Sequence, residues 1–229
     1  DTDTGDSNTC TKGGADADLF TCTVTATAYS VSFSSAPDYD SGTACAGGNS
    51  CTVTIKINDG AQDGATITYT ITIADANDQT PAVTVDSSYA TAEATTVFQT
   101  FTIVDTDTTG AYGCTLGGAD SAAFSKTVTG KNCVVSWDSA RDYDAAHADA
   151  NGDGTYELTI AFTDGTNNLG AQSTDVTVTD VNDQTPTYTA TSTTPTVTEG
   201  ATAVDTDVAI TDTDTGDSNT CTKGGADAD

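Results

Sequence analysis

The first 18 residues, Asp1 to Asp18, read DTDTGDSNTCTKGGADAD, and the last 18, Asp212 to Asp229, read the same. The offset is 211 residues (212 − 1). A tract this long does not recur by chance, so the sequence reads as a window on a tandem array. Each unit of such an array is a small module that rests on its neighbours, which points to spacers, fibres and binding scaffolds. A shorter period lies inside the first. Asp75-Ala-Asn-Asp-Gln-Thr-Pro81 returns as Asp180-Val-Asn-Asp-Gln-Thr-Pro186, 105 residues on, and Asp38-Tyr-Asp40 returns as Asp142-Tyr-Asp144, 104 residues on. Two related units, A and B, therefore alternate. The expected domains are repeat A over 1–79 without its first strand, repeat B over 82–184, and the start of the next A over 187–229.

The acids show what kind of module this is. The formal charge is −28, and of 34 acidic residues only Glu93, Glu157 and Glu199 are Glu. A helical acidic protein would use Glu, the better helix former. Asp favours turns and offers a short, rigid oxygen ligand. Six Lys and Arg leave no basic footprint, which excludes nucleic acid as a partner. At this charge self-repulsion opposes compaction unless cations neutralise part of it.

Cys51-Thr-Val-Thr-Ile-Lys-Ile57 alternates apolar and polar residues strictly, and Tyr156, Leu158, Ile160 and Phe162 hold the matching positions in B. Ile67, Tyr69, Ile71 and Ile73 alternate with Thr, as do Val176 and Val178. Period two with Thr outward means strands with one face buried. Several such strands per hundred residues, joined by Gly- and Asp-rich turns, predict an all-β chain of tandem Greek-key β-sandwiches. Trp137 and the matching Phe33 are expected to fill the cores, and no amphipathic helix is visible.

The order of the acidic motifs resembles the cadherin repeat along the whole chain. Glu93 and Glu199 sit near a first strand, and a DxD follows, as Asp105 and Asp107 or Asp212 and Asp214. An FxI-like strand comes next (Phe20-Thr-Cys22, Phe124-Ser-Lys126). Then come a degenerate DRE (Asp38-Tyr-Asp40, Asp142-Tyr-Asp144), an Asp-Gly (Asp59, Asp164) and the closing DxND (Asp75 to Asp78, Asp180 to Asp183). The resemblance implies up to three calcium ions at each junction, each ion taking six to eight oxygens from two modules and their linker. For the A-to-B junction it implies Asp38, Asp40, Asp75, Asn77, Asp78, Gln79, Asp105, Asp107 and Asp164. For B-to-A it implies Glu93, Asp142, Asp144, Asp180, Asn182, Asp183, Gln184, Asp212 and Asp214. Asp1, Asp3, Asp59 and Glu199 take the same roles at the flanking junctions. The family's DRE glutamate is here Asp40 or Asp144, and its last linker Asn is Gln79 or Gln184, changes that bear on ion number and affinity.

Cys221 is the second copy of Cys10, which leaves six distinct cysteines and suits disulfides in an oxidising compartment. Cys45 and Cys51 would close a short loop. By elimination Cys10 would pair with Cys22, and Cys114 with Cys133, although six cysteines allow 15 pairings. Where A has that loop, B has Asp149-Ala-Asn151-Gly-Asp153-Gly154, similar to the start of an EF-hand loop. Position 12 is Ile160 rather than Glu, so the stretch reads as a polar turn, with an ion in place of A's bridge as the other reading. The single histidine, His147, has no sequence partner for a catalytic triad, and no phosphate or dinucleotide fingerprint occurs, so no enzyme is expected.

The expected function is a calcium-rigidified segment of a stiff extracellular fibre or adhesin stalk, without membrane contact of its own. Its partners would be calcium and neighbouring repeats, with other fibres or cell surfaces beyond them. The alternatives are a filament subunit completed by strand exchange between chains, and a carbohydrate- or protein-binding β-sandwich module.

Overall fold

Alternation of apolar residues with threonine makes every long element a strand with one buried and one wet face. The helical pieces among the described residues are two 3-10 turns, Ala17–Leu19 and Ser121–Ala123. None of the described helices is long and apolar enough to cross a membrane. The computed structural model describes residues 7–107, 109–145, 149–205 and 208–224, so Asp1, Asp3 and His147 lie outside the described residues.

The chain divides into two compact units. The first comprises Asp1–Pro81 with the loops Asp105–Ala111 and Asp164–Asn167. It contains β1 (Thr9–Gly13), β2 (Phe20–Val24), β3 (Tyr29–Phe33), β4 (Ser50–Asn58) and β5 (Ile67–Thr72). The strands β1, β4 and β5 form one antiparallel sheet in that order, and β2 pairs with β3 in another. Along β4 the expected face turns inward: Cys51, Val53 and Ile55 are buried against Phe20, Cys45 and Ile73.

The second unit contains β6 (Ser88–Ala92), β7 (Val97–Thr102), β8 (Gly113–Gly117), β9 (Phe124–Thr129), β10 (Asn132–Trp137), β11 (Thr155–Thr163) and β12 (Asn168–Thr179). One sheet runs β7-β10-β9 and the other β6-β12-β11-β8, with β6 parallel to β12. Tyr156, Leu158, Ile160 and Phe162 of β11 are buried, as their alternation requires. Trp137 stacks on Phe124 at 4.3 Å, and Arg141 lies 5.1 Å over the Trp137 ring. A short antiparallel pair, β13 (Thr187–Tyr188) with β14 (Ile210–Thr211), follows β12.

Cys10–Cys22 joins β1 to β2 and Cys114–Cys133 joins β8 to β10, so each bridge ties the two sheets of its unit together. Cys45–Cys51 closes a loop before β4, and Cys221 is unbridged. All three bridges are those expected from the sequence. Gly118 adopts φ +98°, and a Cβ there would meet the Glu157 carbonyl at 2.5 Å. Only glycine fits this approach. Its counterpart Gly14 has the same φ, and each precedes an inward-facing aspartate, Asp120 or Asp16, by two residues.

Candidate metal centres

No single loop supplies enough oxygens for calcium, but the fold gathers carboxylates from several. In the first unit Asp40, Asp78 and Asp107 each place one oxygen within 4.8 Å of the others, and Asp105, Asp107 and Asp164 form a second group. Asp107 belongs to both. Asp107 is 1% exposed and Asp164 0%. Asp164 sits in a tight turn, where its Oδ1 accepts the N–H groups of Thr166 at 2.7 Å and Asn167 at 2.6 Å. Burial acts to raise its pKa, and these donors outweigh it and hold the carboxyl below its ordinary value. The Gln79 N–H donates to Asp107 Oδ2 at 3.0 Å. Asp40 is pushed the other way: burial first, then the charges of Asp107, Asp75, Asp78 and Asp38, raise its pKa.

The second unit repeats the design. Glu93, Asp144 and Asp183 form one group, Asp144, Asp180 and Asp214 a second, and Asp212, Asp214 and Asp217 a third. Glu93, 5% exposed, accepts the Val181 N–H on Oε1 and the Tyr143 N–H on Oε2, both at 2.7 Å. It thereby clamps the linker to the Asp142-Tyr-Asp144 motif. Gln184 N–H donates to Asp214 Oδ2 at 2.9 Å, and Thr215 donates to Asp180 Oδ2 through both its N–H and its hydroxyl. Asp144 Oδ2, Asp180 Oδ1, Asp212 Oδ1 and Asp214 Oδ1 are buried with no hydrogen-bond donor. Burial, then the charges of Asp214, Asp180 and Glu93, push Asp144 up to about 6. Among the described residues the one ion pair is Lys56–Asp63, which involves none of the second unit's grouped acids. Clustered, donorless carboxylate oxygens are the ligand set that a hard divalent cation takes, and the residues present fit calcium.

Not every expected ligand enters a group. Asp38 and Asp142 serve as turn acceptors, taking N–H groups from Ser41 and from Asp144 and Ala145. Gln79 and Gln184 contribute their backbone N–H, while each side-chain amide folds back onto the preceding Asp78 or Asp183. Asn77 Oδ1 accepts from Asn167 Nδ2 at 3.0 Å. Asp75 lies close enough to act on Asp40, but it joins no group. Asn182 and Glu199 are exposed, and Glu199 lies outside every group. Asp59 repeats the Asp164 turn, its Oδ1 accepting from Ala61 and Gln62. The motif reading missed Asp217 and Asn167. The Asn167 Nδ2 reaches Asn77, Gln79 and Asp164, and its only sequence signal is its place three residues after Asp164.

No protein-family profile matches the chain, and no curated protein does. Solved structures do. A protocadherin gammaB7 EC3-6 cis-dimer structure aligns over 91% of this chain and 49% of its own, at 19% identity and TM-score 0.56. Mouse protocadherin-24 EC1-3 aligns over 90% and 66%, at 19% identity and TM-score 0.57. Human CDH23 EC21-23 aligns over 73% and 55%, at 18% identity and TM-score 0.51. The fold is that of cadherin repeats. The chain spans about half the length of the protocadherin gammaB7 structure. At this identity the likeness establishes the cadherin-like sandwich and leaves the ligands to be argued from this chain's own carboxylates.

Proposed function

We propose that the chain is a calcium-rigidified segment of an extracellular fibre or adhesin stalk, built from cadherin-like repeats with boundaries near 1–79, 82–184 and 187–229. One observation carries this reading: in both units the linker aspartates converge with DYD and DxD aspartates distant in sequence, as Asp78 with Asp40 and Asp107, and Asp180 with Asp144 and Asp214. A solvated acidic surface would spread its charge rather than gather it. Without cations the gathered carboxylates repel one another. With calcium the ionised state gains binding free energy, and the linkers become struts. The test is calorimetric unfolding in millimolar calcium and in excess EGTA, with calcium counted by titration calorimetry. Two or three ions per complete junction and a large rise in melting temperature are expected. Equal melting in both buffers overturns the reading.

A filament assembled by strand exchange is the second reading. It draws on β3 and β5, beside which the described residues place no strand corresponding to β7 beside β10 or β6 beside β12. Chain mass under reducing, denaturing conditions separates the two: about 23.0 kDa for assembled subunits, far more for a covalent array.

A further inference from the structure

The turn before β11 occupies the place of the disulfide loop before β4. In the first unit Asp16 holds both ends of the loop, taking the Ala46 N–H on Oδ1 at 2.6 Å and the Thr52 N–H on Oδ2 at 2.7 Å. In the second, Asp120 takes the Ala150 N–H on Oδ1 at 2.5 Å and the Glu157 N–H on Oδ2 at 2.8 Å. This register puts Asp149 where the first unit has Cys45, and Tyr156 where it has Cys51. The covalent tie is therefore gone at a loop that is otherwise built the same way.

Carboxylates stand in its place. Asp149 is 9% exposed, and its Oδ2 accepts the Asp153 N–H at 2.8 Å and the Gly154 N–H at 3.3 Å, so the group points into the turn. Its Oδ1 is enclosed and has no donor, and the same holds for Glu157 Oε2. Asn151 Nδ2 stands between Asp153 Oδ2 at 3.1 Å and Glu157 Oε1 at 3.0 Å. No Lys or Arg pairs with any of these acids among the described residues. Enclosed carboxylate oxygens without donors are costly, and a cation relieves that cost by coordinating them.

We propose that this turn is a separate cation site, in which Asp149, Asn151, Asp153 and Glu157 take one hard divalent ion, calcium by preference, in place of the Cys45–Cys51 bridge. No three of these carboxylates are yet gathered within 4.8 Å. Asn151 Oδ1, which accepts the Asp153 N–H at 3.1 Å, would give up that bond to join Asp149 Oδ1 on the ion as Asp153 and Glu157 draw inward. Oxygen-only ligation in a flexible loop suits calcium better than magnesium, which demands rigid octahedral geometry. The site is independent of the linker clusters and stands or falls without them.

The test counts calcium per chain by titration calorimetry on the full 229-residue protein. Asp149→Asn and Asp153→Ala are each expected to lose one ion, or to weaken it at least about tenfold. A graft that replaces residues 149–156 with the Cys45–Cys51 sequence is expected to lose the same ion and to hold the turn in EGTA by its new bridge. Circular dichroism confirms folding, and the graft keeps the question answerable if Asp149→Asn unfolds. An unchanged count in Asp153→Ala and in the graft overturns the proposal and leaves a polar turn. Asp107→Asn with Asp214→Asn reports on the linker clusters separately: an unchanged count there sinks the junction reading alone.

Discussion

Repeat A closes the loop before its central strand with Cys45–Cys51, and repeat B closes the equivalent loop with Asp149. The surrounding frame is the same: Asp16 and Asp120 grip both loop ends through the same pair of backbone N–H groups. The first unit thus carries two bridges and the second carries one. The second compensates with apolar packing. Phe124, Trp137 and Tyr156 form an aromatic cluster, and β12 is flanked on both edges, which leaves Val176 at 0% exposure. In the first unit Tyr69 and Ile71 of β5 are only half-buried. One fold therefore carries two ways of stabilising a small core: an extra cross-link, and tighter apolar packing beside a charged loop that the proposed cation would neutralise.

The largest expected effect comes from calcium removal. Each ion at a hundred times its Kd adds about 2.7 kcal/mol, and a domain of this size shifts by roughly 2–4 °C per kcal/mol. Excess EGTA should then lower Tm by about 10 °C or more, and a scan insensitive to EGTA would break the charge half of the comparison. Reduction comes next, at about 2–4 kcal/mol per bridge. Hydrogen exchange with and without reductant should show the first unit losing more protection than the second. Equal loss would mean that bridge number does not set the difference.

Asp16→Ala and Asp120→Ala offer a sharper comparison, because each removes the acceptor of two part-buried backbone hydrogen bonds. Each variant should melt several degrees lower, with similar falls if the grip is equivalent. A much larger fall for Asp120→Ala would show that the bridge already holds the loop in repeat A. The pH response should run in the same direction in both units, because Asp40 in the first and Asp144 in the second are both raised. The Asp144 pKa stands near 6 in the folded chain against an ordinary 3.8. The folded state thus binds the proton more tightly, and without calcium its stability should fall as pH rises from about 4 to 6 and level off above. Urea titrations in EGTA across this range should show the slope, and Asp144→Asn should flatten it. The smallest effect concerns Ala94, which adopts φ +58° where the next repeat has Gly200 at +90°. Ala94→Gly should change stability by no more than about 1 kcal/mol, toward greater stability if strain outweighs backbone entropy.

Much of this was legible in the chain. The alternation of Cys51 to Ile57 and of Tyr156 to Phe162 is a local property, because a strand exposes opposite faces at every step, and the apolar residues of both runs are buried as expected except Ile57, which is half-buried. The period of about 105 residues let each cysteine and aspartate be checked against its counterpart. The division of labour within each motif was less legible. Asp38 and Asp40 look alike in sequence, yet Asp38 takes the Ser41 N–H and stays outside the cluster that Asp40 joins. Gln79 and Gln184 read as ligands, yet their amides turn back on their neighbours. Asn167 had no motif to mark it, because its partners Asn77 and Gln79 lie about ninety residues away.

Sequence by itself determined the repeat, the strands, the sign of the charge and the residue types from which any metal site must be drawn. These follow from local periodicity and composition, which need no partner to be read. Tertiary structure alone decided which carboxylates meet, which are used up on backbone N–H groups, and that Asp16 and Asp120 grip the ends of the equivalent loops. Those outcomes depend on the close approach of loops distant along the chain and on the burial that strips water from their oxygens.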